Sequence, residues 1–261
     1  MSLAKLFFKS LEIELSKEIV YKWNFIIKLI SIMTIDVVSP LITLLIYSTT
    51  SGIPGWSFEQ FLLFQGIFIF VMGISHATQF AIGWTTVYNV REGTFDKFLT
   101  KPYNPLVYLT LTSFDLEGFG EVFVGLFLII FGFVKLDLAV LSWNFLAFAV
   151  LILAAILFMY SLIVLISALA FIFVKSFGLF NIFFNILEMA RYPSTIYGSS
   201  IRFMITFLFP VAIASTFPAL AILEGFSLFG VVKAILPVIG FFLLSLFLWS
   251  AAMKKHSSAG G

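Results

Sequence analysis

The stretch that decides the fold is residues 138–174, LAVLSWNFLAFAVLILAAILFMYSLIVLISALAFIFV, which contains no Asp, Glu, Lys or Arg. A helix needs about 20 predominantly apolar residues to cross the hydrocarbon core of a bilayer, so this stretch is long enough. Residues 60–90 are also free of these four residue types. Neither stretch is divided into the segments of about ten alternating residues that transmembrane β-strands show. The sequence therefore predicts an all-α, polytopic membrane protein.

The composition of the whole chain supports the same class. Of the 261 residues, 61% are hydrophobic and 11% are charged, and the mean hydropathy is +1.13. Soluble proteins carry about 25% charged residues. The formal charge of +2 arises from 15 basic and 13 acidic residues, a balance that argues against a nucleic-acid partner. The chain has no cysteine, and its two histidines, His76 and His256, lie far apart in sequence, so we expect no metal site.

Seven stretches are candidates for spans: 24–48, 60–90, 118–134, 138–174, 176–190, 203–223 and 234–253. Segment 2–22 instead mixes apolar residues with a polar side, and it predicts an amphipathic helix in the membrane interface, with a partly ordered cytoplasmic tail as the alternative. Lysines precede the first span and follow the last, and the loop after the second span is also basic. Both termini are therefore expected in the cytoplasm, which requires an even number of crossings. One of the seven stretches must not cross.

Two arrangements satisfy this count. In the first, 176–192 crosses the membrane and 200–225 dips into it from the outer face. In the second, 176–200 lies at the cytoplasmic interface and 203–223 crosses. The basic residues and the short length of the earlier stretch favour the second arrangement. The three prolines within 193–218 favour the first, because each proline ends or kinks a helix. The residues alone leave both arrangements open.

The most informative polar stretch is the loop from Val90 to Pro105, VREGTFDKFLTKPYNP. Phe95, Phe98 and Leu99 are spaced i, i+3, i+4, which places them on one face of a short helix. A short helix with an aromatic stripe on the water side of a membrane is suited to docking into a groove of a partner protein. A solvated connector whose Phe residues lie on the lipid surface fits the same residues.

This loop and a later stretch resemble the ABC-2 type permeases, the membrane subunits of a class of ATP-binding-cassette exporters. Residues 91–106, REGTFDKFLTKPYNPL, are similar to the "EGTLD…LL-RP" cytoplasmic loop of that family. Residues 192–219 are similar to a family segment that reads "YP…IY…LR…LTF..P.AF…..PA". The resemblance is to the half-size permeases with separately encoded ATPases, and it covers essentially the whole chain in the length and order of its segments.

The resemblance implies one type V exporter-like transmembrane domain over residues 1–256, followed by a flexible tail at 257–261. It implies an interfacial helix at 1–22 and six spans, at 24–48, 59–88, 118–136, 143–174, 176–192 and 229–253. Loop 91–104 is then the cytoplasmic coupling helix, which contacts the ATPase through Arg91, Glu92, Gly93, Thr94, Phe95, Asp96, Lys97, Phe98, Leu99, Lys101 and Pro102. Residues 193–225 form an outer re-entrant region marked by Tyr192, Pro193, Pro210 and Pro218.

The sequence contains no G-x-x-x-x-G-K-[ST] phosphate-binding loop. We therefore expect that the chain is not an enzyme and holds no cofactor of its own, and that ATP and Mg²⁺ bind to a partner ATPase. The resemblance implies, in addition, a second permease subunit, identical or related, and a location in the plasma membrane. The cargo is not identified by these residues.

Polar residues inside predicted spans are candidates for a translocation path. They are Asp36 in the first span and Ser75, Thr78 and Gln79 in the second, where helical spacing puts the last three on one face. Hydrogen bonding between helices explains the same residues. Two other functions remain open: an ion-coupled secondary transporter that uses Asp36, and an intramembrane enzyme acting on lipid. The sequence shows neither paired broken helices in two corresponding halves nor a convergent set of catalytic groups.

Overall fold

The computed structural model describes residues 2–173 and 177–255, and in these ranges the regular structure is helical throughout, with no strand. The all-α prediction is confirmed. The α-helices are α1 Leu3–Val20, α2 Lys22–Thr49, α3 Phe58–Ser75, α4 Ala81–Arg91, α5 Asp96–Leu99, α6 Pro105–Thr112, α7 Phe119–Lys135, α8 Trp143–Ala170, α9 Phe177–Glu188, α10 Ser199–Phe203, α11 Thr216–Leu223 and α12 Leu228–Lys255. A π-helical turn at His76–Phe80 joins α3 to α4.

Among the described residues, five helices are long and apolar enough to cross a membrane, and they overlap five of the six predicted spans. They are Lys22–Thr49, Phe58–Arg91, Leu116–Lys135, Trp143–Ala170 and Leu228–Lys254. Each forms because a long run of apolar residues satisfies its backbone hydrogen bonds within the helix, as lipid requires. Serines mark two of the starts: the Ser57 and Ser142 hydroxyls accept hydrogen bonds from the backbone N–H groups of Gln60 and Phe145.

The bundle has two distinct ends. At one end the ring of Phe171, just after α8, lies 5.7 Å edge-on from Trp249 of α12 and 4.8 Å from Phe95 in the loop between α4 and α6. Helix α1 packs on α6 beside this loop, and we call this the α1 end. At the opposite end, which we call the far end, the indole N–H of Trp143 donates to the backbone carbonyl of Phe226, 2.5 Å away. Helices α8 and α12 therefore run in the same direction.

Residues 177–226 form short helices and turns rather than one long helix. Because Phe171 lies at the α1 end and Phe226 at the far end, the chain between them traverses the bundle. Helix α9 has 12 residues and a rise of about 18 Å, against about 30 Å of hydrocarbon core. Its Phe180 stacks on Trp84 at 4.4 Å, and the turn that follows places Arg191 over the ring of Phe68 at 5.2 Å.

Of the predicted span 176–192, residue 176 lies outside the described residues; α9 covers Phe177–Glu188 and a 3₁₀ turn follows to Arg191. Which of the two predicted stretches crosses the membrane stays a prediction. The stretch 203–223 is interrupted at Phe209–Pro210, where the backbone becomes extended. Prolines at the two breaks lack the N–H that a continuing helix requires.

Helices α3 and α7 approach each other at backbone distance because glycines recur every seven residues on both. A Cβ atom built on Gly73 would lie 2.5 Å from the Val122 nitrogen, and one built on Gly125 would lie 2.4 Å from the Phe70 nitrogen. The other members of this glycine seam are Gly66, Gly118 and Gly132. Small residues are the usual means by which membrane helices pack closely, since lipid supplies no hydrophobic drive between helices.

The predicted interfacial helix at 1–22 corresponds to α1, a helix separate from the first long helix. Ser2 caps its start, and the chain leaves helical geometry at Tyr21 before α2 begins. Lys9 pairs with Glu12 at 3.0 Å on its exposed side, whereas Leu6 is buried. One apolar and one charged side suit a helix that lies along a surface. That α1 lies in the membrane interface stays a prediction.

Candidate functional site

A cluster of charged residues surrounds the π-helical turn between α3 and α4. The Nδ1 atom of His76 lies 2.6 Å from a carboxylate oxygen of Glu121, and its Nε2 atom lies 3.6 Å from Asp115. The backbone N–H of Asp115 also donates to the carbonyl of Ala77, 3.0 Å away. The π turn and the start of α7 are thus fixed to each other by both side chains and backbone.

Two glycines make this contact possible. A Cβ atom on Gly118 would lie 2.4 Å from the nitrogen of Ala77, and one on Gly73 would lie 2.8 Å from the Cβ atom of Glu121. Only residues without side chains allow the start of α7 to lie directly against the π turn. Turns of this kind inside α-helices are frequent at functional sites.

Asp115 and Glu117, just before α7, each have an ionic partner, His76 for Asp115 and Lys28 for Glu117. The Lys28 ammonium of α2 lies 2.5 Å from Glu117. Burial acts to raise the pKa of Asp115, but the hydrogen bond and the charge of His76 outweigh burial and hold that pKa below its ordinary value. His76 and Lys28 were the residues that sequence reasoning missed, because their partners are distant in the chain. In residues 2–173 and 177–255 no group of three or more side chains is arranged to hold a metal ion.

The predicted path residues of the second span are occupied in bonding within the bundle. The hydroxyls of Ser75 and Thr78 donate to the carbonyls of Val71 and Ile74 in their own helix. The amide N–H of Gln79 donates to the carbonyl of Ile156 on α8, 3.2 Å away. Ser75 and Gln79 are buried. Only Gln79 therefore makes the hydrogen bond between helices that the alternative expected, and the role of the three residues in a path stays a prediction.

Asp36 faces the bundle rather than lipid. Its Oδ2 atom is buried and has no hydrogen-bond partner among the described residues. The charges of Glu121, Arg191 and His76 act on it. One turn further along α2, the Ser39 hydroxyl accepts a hydrogen bond of 2.9 Å from the buried amide of Gln65 on α3. Asp36 therefore lies in a polar region between α2 and the interior, which agrees with its prediction as a path residue without establishing it.

In the loop between α4 and α6, Phe95 and Phe98, which were expected to contact the ATPase, are buried against the bundle; their contact with an ATPase stays a prediction. Phe95 is 0% exposed and Phe98 is 8% exposed. Phe95 lies between Phe171 and the edge of Trp249, and Phe98 packs near Tyr108 at 6.2 Å. Burying a large ring removes 150–250 Å² of surface from water, and so the rings turn towards the bundle.

The surface that the loop presents to solvent consists of the remaining predicted residues. Asp96 is half-buried, and the exposed members are Arg91, Glu92, Gly93, Thr94, Lys97, Leu99, Lys101 and Pro102. Leu99 is the exposed large apolar side chain of this set, at 42%. The Thr94 hydroxyl donates to the Asn89 side chain at 2.8 Å, and Gly93 adopts a positive φ of 66° that closes the turn. That this loop contacts an ATPase stays a prediction.

The predicted outer re-entrant region, 193–225, consists of short turns and helices that follow the break after α9. Tyr192 and Pro193 end the α9 segment, Pro210 lies at the second break, and Pro218 falls in the first turn of α11, where proline is tolerated. The Ser215 hydroxyl donates to the carbonyl of Ala190, 2.6 Å away. This bond ties the region back to the end of the α9 segment.

The five long apolar helices found in residues 2–173 and 177–255 define a polytopic α-helical membrane protein. A family model described as "ABC-2 family transporter protein" matches residues 32–260, most of the chain, and the chain belongs to that family. It is therefore a membrane component, a permease, of an ABC transporter. A search of the curated proteins and a search of the solved structures each returned no match.

Proposed function

We propose that this permease exports its cargo and is driven by ATP hydrolysis in a separate ATPase subunit. The observation that carries the proposal is the anchoring of the loop between α4 and α6. Phe95 contacts Phe171, at the end of α8, and Trp249, near the end of α12. A force on this loop therefore acts directly on two long helices.

The exposed side of the loop is then the ATPase contact. Leu99 supplies an exposed apolar side chain, and Lys97 and Lys101 flank it with positive charge. A few apolar anchors with a polar rim carry most of the energy of protein contacts. The buried Phe95 and Phe98 anchor the loop to the bundle. ATP and Mg²⁺ bind to the ATPase, and this chain supplies no catalytic group.

The orientation follows from the distribution of basic residues. The α1 end carries the basic residues of α1 and the loop, among them Lys5, Lys9, Arg91, Lys97 and Lys101. Cytoplasmic surfaces of plasma-membrane proteins carry an excess of such residues. The α1 end therefore faces the cytoplasm, with both ends of the described chain, and the far end faces outward. A second permease, identical or related, completes the transport path beside the largely exposed helix α2.

The contact is tested with Leu99→Asp, measured by co-purification of the ATPase in mild detergent. We expect loss of the ATPase with unchanged membrane insertion, because a charge then occupies the apolar anchor. Leu141→Asp is the matched control, since Leu141 is fully exposed in the loop before α8 at the opposite end. Full recovery of the ATPase with Leu99→Asp, or equal loss with both variants, contradicts the assignment.

Export driven by ATP is tested by reconstitution. The chain in liposomes should move no cargo until the ATPase and ATP are supplied. Transport by the chain alone, driven by an ion gradient, would instead support the secondary-transporter alternative.

Orientation is tested with single cysteines, which is simple because the natural chain has none. Ser199→Cys should label from outside intact cells, and Thr100→Cys only after permeabilisation.

A further inference from the structure

A cavity opens at the far end of the bundle, between the short helices and turns of residues 194–217 and helix α12. Its volume is about 480 Å³, within the range of small-molecule sites. Its walls come from three separate parts of the chain: the segment around α10, helix α11 and the first turns of α12. The cavity is distinct from the charged cluster at the π turn and from the coupling loop.

Two positive charges lie in its wall. Arg202 contributes from α10 and Lys233 from α12. The guanidinium of Arg202 is held by hydrogen bonds to three backbone carbonyls, those of Ser194 at 3.1 Å, Thr195 at 2.6 Å and Tyr197 at 3.1 Å. Neutral carbonyls fix its direction without cancelling its charge. Among the described residues neither Arg202 nor Lys233 lies within 4.0 Å of a carboxylate.

Four phenylalanines contribute to the rest of the wall: Phe203, Phe207, Phe217 and Phe226. The remaining lining residues are small: Ser194, Ser199, Thr206, Gly230 and Ala234. Such a wall favours a hydrocarbon chain, whereas two cations without counter-ions at the edge of a membrane favour an anion.

We propose that this cavity binds an amphiphile with one anionic head group, a phosphate or a carboxylate, whose apolar chain lies among the phenylalanines. The head lies between Lys233 and Arg202, where charge-assisted hydrogen bonds to an anion are strong. The proposal goes beyond the transport function, because it holds whether or not an ATPase couples to the loop. It names a lipid-like ligand class for a region whose sequence suggested only re-entrant helices.

The test uses the purified full chain in detergent without any ATPase, and binding is measured by native mass spectrometry. The ligands are dioleoyl phosphatidylglycerol, dioleoyl phosphatidylcholine, oleate and inorganic phosphate. Phosphatidylglycerol, oleate or both should bind more tightly than phosphatidylcholine, and which of the two binds better distinguishes a phospholipid head from a carboxylate. Inorganic phosphate should not compete at equal concentration, because it lacks the chain.

Lys233→Ala should weaken binding of the preferred anionic ligand about tenfold or more, since it removes a charged hydrogen-bond donor. This variant removes a charge from a membrane helix and so does not endanger insertion. Lys135→Ala is the matched control: this lysine also lies at the far end but outside the cavity wall. Phe207→Ala should weaken binding of the amphiphile and leave any binding of inorganic phosphate unchanged. Equal binding of both phospholipids, equal effects of the two lysine variants, or full competition by phosphate overturns the proposal.

Discussion

Replacing Gly125 with valine should destabilise the permease by separating α3 from α7. A Cβ atom at this position would lie 2.4 Å from the Phe70 nitrogen, 2.6 Å from its Cα and 2.8 Å from the carbonyl oxygen of Gly66. All three obstacles are backbone atoms, so no side-chain rotation relieves the overlap. Non-bonded heavy atoms prefer about 3.5–4.0 Å, and the two helices must therefore move apart locally by about 1 Å.

The size of the effect follows from two opposing contributions. Overpacking of a close contact costs about 1–3 kcal/mol, and this site lies at the upper part of that range because backbone blocks it. Replacing a helical glycine with valine raises helix stability by less than about 0.5 kcal/mol, because valine is a weaker helix former than alanine. The net loss is about 1.5–2.5 kcal/mol. At roughly 2–4 °C per kcal/mol for a chain of this size, the melting temperature falls by about 3–10 °C.

The assay is thermal melting of the purified protein in mild detergent, followed by size-exclusion chromatography with fluorescence detection. Gly240→Val in α12 is the matched control, because a Cβ atom there meets nothing within 4 Å. It should melt within a few degrees of the natural protein. The reasoning about backbone contact is refuted if Gly125→Val and Gly240→Val melt at the same temperature.

Two further outcomes test the charged cluster and the loop. Asp115→Asn should lower the melting temperature at neutral pH. The folded-state pKa of Asp115 is depressed, so the stability that its carboxylate contributes is fully present above the unfolded pKa of about 3.9. That stability is lost as the pH falls further. Melting curves of both proteins should thus differ equally at pH 7 and pH 5 and converge below about pH 4. Phe95→Ala should lower the free energy of unfolding by about 3–5 kcal/mol, because it empties a buried site. Phe229→Ala, at a position 76% exposed, should change it by less than about 1 kcal/mol. The same melting assay compares the two variants.

The class of the protein and its long helices were predictable because both depend on composition over stretches of 20 or more residues. No tertiary contact is needed to recognise that residues 143–170 are apolar throughout. The break after α9 was partly visible, since Pro193 follows it. The sequence could not show how the short pieces of residues 177–226 fit together, because they are held by contacts such as that between Ser215 and Ala190.

The features of the candidate site that the sequence does not show have a common physical origin. The spacing of Phe95, Phe98 and Leu99 states which residues share a helical face, but not whether that face is turned to water or to the bundle. The structure turns the two phenylalanines inward and leaves Leu99 exposed. The pairing of His76 with Glu121 joins two helices and leaves no local pattern. The glycine seam did leave one: glycines seven residues apart, from Gly66 to Gly73 and from Gly118 to Gly132.

The two kinds of helix contact in this bundle suit different roles in transport. The glycine seam of α3 and α7 joins backbones directly, so these helices cannot slide without overlap and behave as a fixed frame. Residues 177–226 form short helices and turns, and these pieces pack on α8 and α12, the helices that Phe95 contacts through Phe171 and Trp249. In the ATP-driven cycle that we propose, displacement of the loop reaches α8 and α12 through Phe95 and shifts the short pieces against the fixed frame. The cavity with Arg202 and Lys233 lies between those pieces and α12, and its shape therefore changes in the same movement.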